Sequence, residues 1–181
     1  MRFIKYSVFF SASLVVVFLL TAFVQPEVQY EASIIVTASR PQAYQFFTDS
    51  RLAHQWISGL EKIESPHAQL YRRGNINTLY LSGFGSSYVI KQTIRGVRRN
   101  QSLSFILESK SSINTVNVHF FPLANNTQIK IRGTIQGKNK IWQSLFFYTR
   151  LWHQKRLERD LHKFEQLVKN SSTSLSRLNN N

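Results

Sequence analysis

The chain has 181 residues, 43% of them hydrophobic and 13% aromatic, which suits one globular domain and excludes a disordered, low-hydrophobicity chain. It has no cysteine, which excludes disulfides, zinc-thiolate sites and a cysteine nucleophile. With 23 Lys and Arg against 9 Asp and Glu, the formal net charge is +14, a balance that favours anionic partners.

Residues 1–5 are a short N-terminus carrying Arg2 and Lys5. Residues 6–24, YSVFFSASLVVVFLLTAFV, carry no charge. As a helix this stretch spans about 28 Å, close to the hydrocarbon thickness of a bilayer. Its end, Ala22-Phe23-Val24-Gln25-Pro26, is a poor cleavage context, so a retained transmembrane anchor is expected rather than a cleaved signal peptide. Arg2 and Lys5 precede the segment, and Glu27 and Glu31 follow it. The positive-inside rule then predicts a single-pass protein with a cytoplasmic N-terminus. Its domain would lie on the extracytoplasmic side, periplasmic in a Gram-negative cell.

Residues 25–29 read as a linker, after which 30–37 (YEASIIVT) are rich in β-branched residues and predict a strand. Ser39 opens a helix: its hydroxyl can cap the start, Gln42 three residues on can return a bond, and Pro41 suits the first turn. A second short helix is predicted over 50–57, with Asp49 or Ser50 as cap and Leu52, Ala53 and Trp56 on one face; Gly59 ends it.

From 60 to 137 the period becomes two, with Gly or Asn punctuation at Gly74-Asn75, Gly83-Phe84-Gly85, Asn100 and Asn125-Asn126. This predicts an antiparallel meander of about six strands. Ile129, Ile131, Gly133 and Ile135 alternate with Gln128, Lys130, Arg132 and Thr134, one face apolar and the other solvated. Leu103, Phe105 and Leu107 repeat the pattern, as do Val116, Val118 and Phe120, and Tyr88, Ile90 and Ile94. A sheet with one apolar face needs a covering layer. Residues 140–169 supply it, with Trp142, Leu145, Phe146, Trp152, Leu157, Leu161, Phe164 and Val168 at helical spacing. Ile141, Phe147, Tyr148 and Leu151 make the start of that helix apolar almost all round. A polar, disordered tail is predicted over 171–181.

The residues Tyr30-Glu31-Ala32-Ser33-Ile34-Ile35-Val36, then residues 38–49 (ASRPQAYQFFTD), then Leu52 and Trp56, resemble the opening of polyketide cyclase/START-like (SRPBCC) proteins. Leu157-Glu158-Arg159-Asp160-Leu161 is similar to the end of that superfamily's long helix. The likeness covers about 28–169, with the domain bounded at 30–170, and a membrane-anchored branch is the nearest match. It implies an α+β helix-grip (START/Bet v 1-like) fold, a curved antiparallel sheet wrapped around a long C-terminal helix, here preceded by one transmembrane helix. It also implies a cavity between sheet and helix that holds a lipid or other apolar ligand. Candidates for its lining are Trp56, Tyr88, Ile90, Phe105, Val118 and Phe120, together with Ile131, Trp142, Phe146, Trp152 and His153.

Chemistry is sparse. The acids Glu27, Glu31, Asp49, Glu61, Glu64, Glu108, Glu158, Asp160 and Glu165 fall at strand ends, helix starts or polar faces, where solvated or capping roles suffice. The histidines His54, His67, His119, His153 and His162 lack metal-ligand spacing, so no catalytic set, metal or cofactor is assigned. Trp56 suits either a packed core or a cavity wall, and the aromatics near Trp142 suit either of these or a headgroup region. Basic residues are scattered rather than gathered in a motif, which argues against nucleic acid. The preferred reading is a membrane-tethered binder of a lipid or apolar small molecule. The alternatives are a polyketide cyclase or dehydratase-like enzyme and a non-catalytic interaction module of the cell envelope.

Overall fold

The period-two alternation between residues 60 and 137 forms six strands in succession, and the earlier β-branched segment joins them as a seventh. The protein is seen in a computed structural model that describes residues 2–83 and 85–178, with the side chains of 2–5, 8 and 172–178 not among the described ones. Helix α1 (Arg2–Val24) leads into β1 (Glu27–Val36), α2 (Arg40–Thr48) and α3 (Ser50–Trp56). Strands β2 (Leu60–Glu64), β3 (Ile76–Gly83), β4 (Ser86–Arg98), β5 (Ser102–Glu108), β6 (Ser112–Leu123) and β7 (Asn126–Gly137) follow, and α4 (Lys140–Leu178) closes the chain. The sheet is antiparallel with the order β1-β7-β6-β5-β4-β3-β2. Consecutive strands therefore pair through hairpins, and β1 pairs with β7.

This is the helix-grip arrangement expected from the order of elements: a curved antiparallel sheet with one long helix across its apolar face. The start of α2 is built as its sequence predicts. The backbone N–H and the hydroxyl of Ser39 both donate to Gln42 Oε1, at 3.1 and 2.8 Å. Asp49 caps α3 by accepting the Arg51 N–H at 2.9 Å. Strand β1 begins at Glu27, earlier than predicted, because Glu27 already stands opposite Gln136 of β7. The backbone of α4 continues to Leu178, past the predicted end at 169. The tail predicted over 171–181 falls largely on residues whose side chains or placement lie outside the described ones.

The expected single-pass topology, with the domain on the extracytoplasmic side, is corrected. Among the described residues no helix is long and apolar enough to cross a membrane. The described C-terminal part of α1 has a protein partner instead, the aromatic start of α4. Phe18 stacks on Tyr148 with ring centroids 5.6 Å apart, the Lys140 ammonium sits 4.2 Å from the Phe23 ring centroid, and Ala22 is fully buried.

The core lies between the sheet and the second half of α4. Phe164 has no exposure and meets Phe47 and Trp56 at 5.7 and 5.3 Å, and Phe47 meets Trp56 and Phe120 at 4.9 and 5.5 Å. Ala43, Ile94, Leu103, Val118, Ile129, Leu161 and Val168 fill the spaces around these rings.

Candidate functional site

Two populations emerge among the predicted lining residues. Trp56, Phe105, Val118, Phe120 and Ile131 all belong to one buried apolar cluster. There the rings of Phe47, Trp56, Phe120 and Phe164 touch edge to face or tilted, so this end of the space between sheet and helix is filled by side chains. Tyr88, Ile90, Phe146, Trp152 and His153 are half-buried: Phe146, Trp152 and His153 lie on the first half of α4, and Tyr88 and Ile90 of β4 pack against a second buried cluster of Ala53, Leu60, Leu79 and Leu81. Trp142, 37% exposed, stacks on Phe146 at 5.9 Å on the outer side of that group.

Three members of the half-buried group, Phe146, Trp152 and His153, belong to α4. Phe146, seven residues before His153, and the adjacent Trp152 have ring centroids 5.5 and 5.0 Å from that of His153. Burial, and secondly the positive charge of Arg156, lower the His153 pKa to about 4, so its ring is neutral near pH 7. The Arg156 guanidinium lies 5.4 Å from the Trp152 ring centroid. Its Nη2 donates to the Ser58 carbonyl at 2.8 Å, and both terminal nitrogens stand 3.4 Å from the Tyr88 oxygen. Tyr88 and Ile90 share the inward face of β4, two residues apart.

The turn after α3 is pinned to the same stretch of helix. Buried Asp160 accepts the Ser58 N–H at 3.2 Å and also the Ser58 hydroxyl, while Lys163 donates to that hydroxyl oxygen at 2.9 Å. Gly59 follows with φ of +76°, and a Cβ there would stand 2.2 Å from the Ser82 carbonyl oxygen. No L side chain fits this junction, where the Ser82 N–H donates to the Gly59 carbonyl at 2.7 Å. The junction fixes the β3–β4 hairpin, and with it Tyr88, against α4.

One buried feature escapes sequence reading. Asn75, Asn77 and Gln92 are all at least 96% buried on the inward side of β3 and β4. Asn75 Nδ2 donates to Asn77 Oδ1 and Asn77 Nδ2 to Gln92 Oε1, both at 2.9 Å, and both amides reach the Leu70 carbonyl at 3.1 Å. Gln92 also hydrogen-bonds Tyr71, whose phenol burial pushes up to about 12. The network fastens the segment before β3 to the sheet. The signal that could have found it is parity: Asn77 shares its face with Leu79 and Leu81, and Gln92 shares its face with Ile90 and Ile94. Asn75 Oδ1 and Trp56 Nε1 are buried without a hydrogen-bond partner among the described residues.

Two surface recesses lie elsewhere. One of about 240 Å³ is lined by Gln42, Gln45, Phe46, Asp49 and Leu52, and one of about 230 Å³ by Val17, Leu20, Thr21, Val24 and Phe147. Among the described residues no three His, Asp or Glu side chains gather as metal ligands would.

No family model matches the sequence, and no curated protein matches it. Solved structures do resemble it. A protein of unknown function from Staphylococcus aureus, SA2116, is 15% identical with a TM-score of 0.67 over 82% of this chain and 98% of its own. The protein Ara h 8.0201 is 10% identical with a TM-score of 0.59 over 80% of this chain and 99% of its own. The di-domain ARO/CYC protein StfQ from the steffimycin biosynthetic pathway is 11% identical with a TM-score of 0.67, over 81% of this chain and 52% of its own. At these identities the likeness shows the fold, the helix-grip fold of Bet v 1-like and polyketide cyclase-type proteins.

Proposed function

We propose that this helix-grip protein binds an apolar small molecule or lipid between the first half of α4 and the inward face of β4. The observation that carries the reading is the contrast in packing along α4. Phe164 and its neighbours fill one end, whereas Phe146, Trp152 and His153, with Tyr88 held to the same helix through Arg156, remain half-buried at the other. Half-buried aromatic and aliphatic walls with a few polar groups are what a small-ligand site presents. The fold shared with Ara h 8.0201 and StfQ supports the same class of ligand.

Native mass spectrometry of the gently purified full chain tests this reading. The expected result is a co-purifying apolar molecule, lost when Ile90→Glu places a charge on the inward face. A wild-type chain that carries no such molecule and takes up no neutral apolar probe overturns it. A second reading, a non-catalytic interaction module, is favoured by the filled end around Trp56, Phe47 and Phe164. Crosslinking to a protein partner, with no small molecule bound, would select it.

A further inference from the structure

We infer that the ligand carries an anionic group, taken up by Arg156 and Tyr88 together while its apolar body lies on Trp152, Phe146 and Ile90. The inference rests on the binding site proposed above. Arg156 is half-buried, yet among the described residues no carboxylate lies within ion-pair distance of it. The nearby acid, Asp160, is directed to Ser58 instead. Arg156 makes one close bond, to the Ser58 carbonyl at 2.8 Å, and its Nη1 has only the 3.4 Å approach to Tyr88. A guanidinium offers five N–H donors in a plane matched to carboxylate, sulfonate or phosphate oxygens, so most of its capacity is unspent.

Tyr88 supplies the second, independent observation. Its oxygen stands as acceptor toward Arg156, and among the described residues its O–H has no acceptor of its own. A phenol that accepts from a guanidinium is a better donor in turn, and its hydrogen is available for an anion beside Arg156. His153 does not compete for that place, because it is held neutral and its ring faces Phe146 and Trp152. The three parts belong to three elements, β4, α4 and the turn after α3. The Asp160–Ser58 and Gly59–Ser82 bonds fix these relative to one another, so the donor pair is set before a ligand arrives.

Two fluorescent probes with the same anilinonaphthalene body test the inference on the full chain: 1-anilinonaphthalene-8-sulfonate, which is anionic, and N-phenyl-1-naphthylamine, which is neutral. The wild type is expected to bind the sulfonate about tenfold more tightly, the scale of one charge-assisted contact. Arg156→Gln should abolish that preference, read as the ratio of the two affinities within the variant. Tyr88→Phe should reduce it several-fold, and Arg159→Gln, which removes an exposed charge on the same helix, should leave it intact. Dodecanoate or 1-naphthoate should displace the sulfonate, and whichever is stronger identifies an acyl or an aromatic body. Equal binding of the two probes by the wild type overturns the anion assignment while leaving apolar binding standing. So does a preference that survives both Arg156→Gln and Tyr88→Phe, or a failure of both acids to displace the sulfonate. Binding of neither probe overturns the site itself. If Arg156→Gln fails to fold, as circular dichroism would reveal, Tyr88→Phe decides the matter alone.

Discussion

Gln154 of α4 satisfies both backbone groups of Glu31 on the edge strand β1: the Glu31 N–H donates to Gln154 Oε1 at 3.1 Å, and Gln154 Nε2 donates to the Glu31 carbonyl at 2.5 Å. Strand β1 pairs with β7 on one side only, so its other side presents groups that a foreign strand could use. One side-chain amide occupies the place of such a strand. The second half of its work is to hold α4, which also carries Arg156, against β1.

Gln154→Ala should therefore expose the strand edge. Because the pair lies at the surface and water can replace it, the expected loss of stability is only about 1 kcal/mol. Hydrogen exchange at the Glu31 amide is the sharper measurement, with protection expected to fall about tenfold while the β6–β7 amides keep theirs.

Tyr30 lies across Gly133, its pairing partner on β7, and a Cβ at Gly133 would come 2.0 Å from the Tyr30 ring carbon Cζ. Asn114 Nδ2 donates to the Tyr30 oxygen at 2.7 Å, and burial pushes the phenol up to about 12 despite that bond. Gly133→Ala should expel the ring and destabilise the fold by roughly 1–3 kcal/mol. Ultraviolet titration should then show one tyrosine returning toward the ordinary range near 10. An unchanged titration would show that the ring had found another buried place.

The β6–β7 hairpin joins Leu123 to Asn126, and Ala124 in its loop has φ of +47°. An alanine in this left-handed region carries strain of about 1 kcal/mol that glycine does not. Ala124→Gly should raise the denaturation midpoint despite the greater freedom glycine adds to the unfolded chain. A lowered midpoint would count against the strain.

His153 has its pKa lowered from 6.5 to about 4 in the folded protein, by burial and then by Arg156. The unfolded chain therefore binds more protons between these values, so the contribution of His153 is complete above about pH 6.5 and is lost as pH falls toward 4. Chemical denaturation at a series of pH values should show this decline. His153→Gln should flatten it, and an equally steep profile in the variant would assign the decline to other groups.

Local patterns made much of the fold legible. The Ser39–Gln42 box, the punctuation at Gly59 and Gly74, and the parity of Val116, Val118 and Phe120 each rest on neighbours in the chain, so the elements and the inward faces could be read directly. Asn77 and Gln92 went unread although they are polar residues on an apolar parity, because their meaning needs each other: they stand on adjacent strands and bond at 2.9 Å. The predicted lining was legible as a set of inward residues and not as a site. Which of them are sealed and which half-open depends on how Phe47, Trp56 and Phe164, far apart in sequence, meet as rings.

By itself, then, the sequence determined the order of elements, the two-faced strands, the covering helix and hence the helix-grip class, because periodicity and capping act over a few residues. Tertiary structure alone decided three things. It seated the described end of the apolar N-terminal helix on Tyr148 and Lys140, it closed one end of the space beneath α4, and it set Arg156 beside Tyr88 and Trp152 with no carboxylate in ion-pair reach among the described residues. Each is a matter of burial and pairing between distant segments, and burial is a property of what covers a residue rather than of the residue.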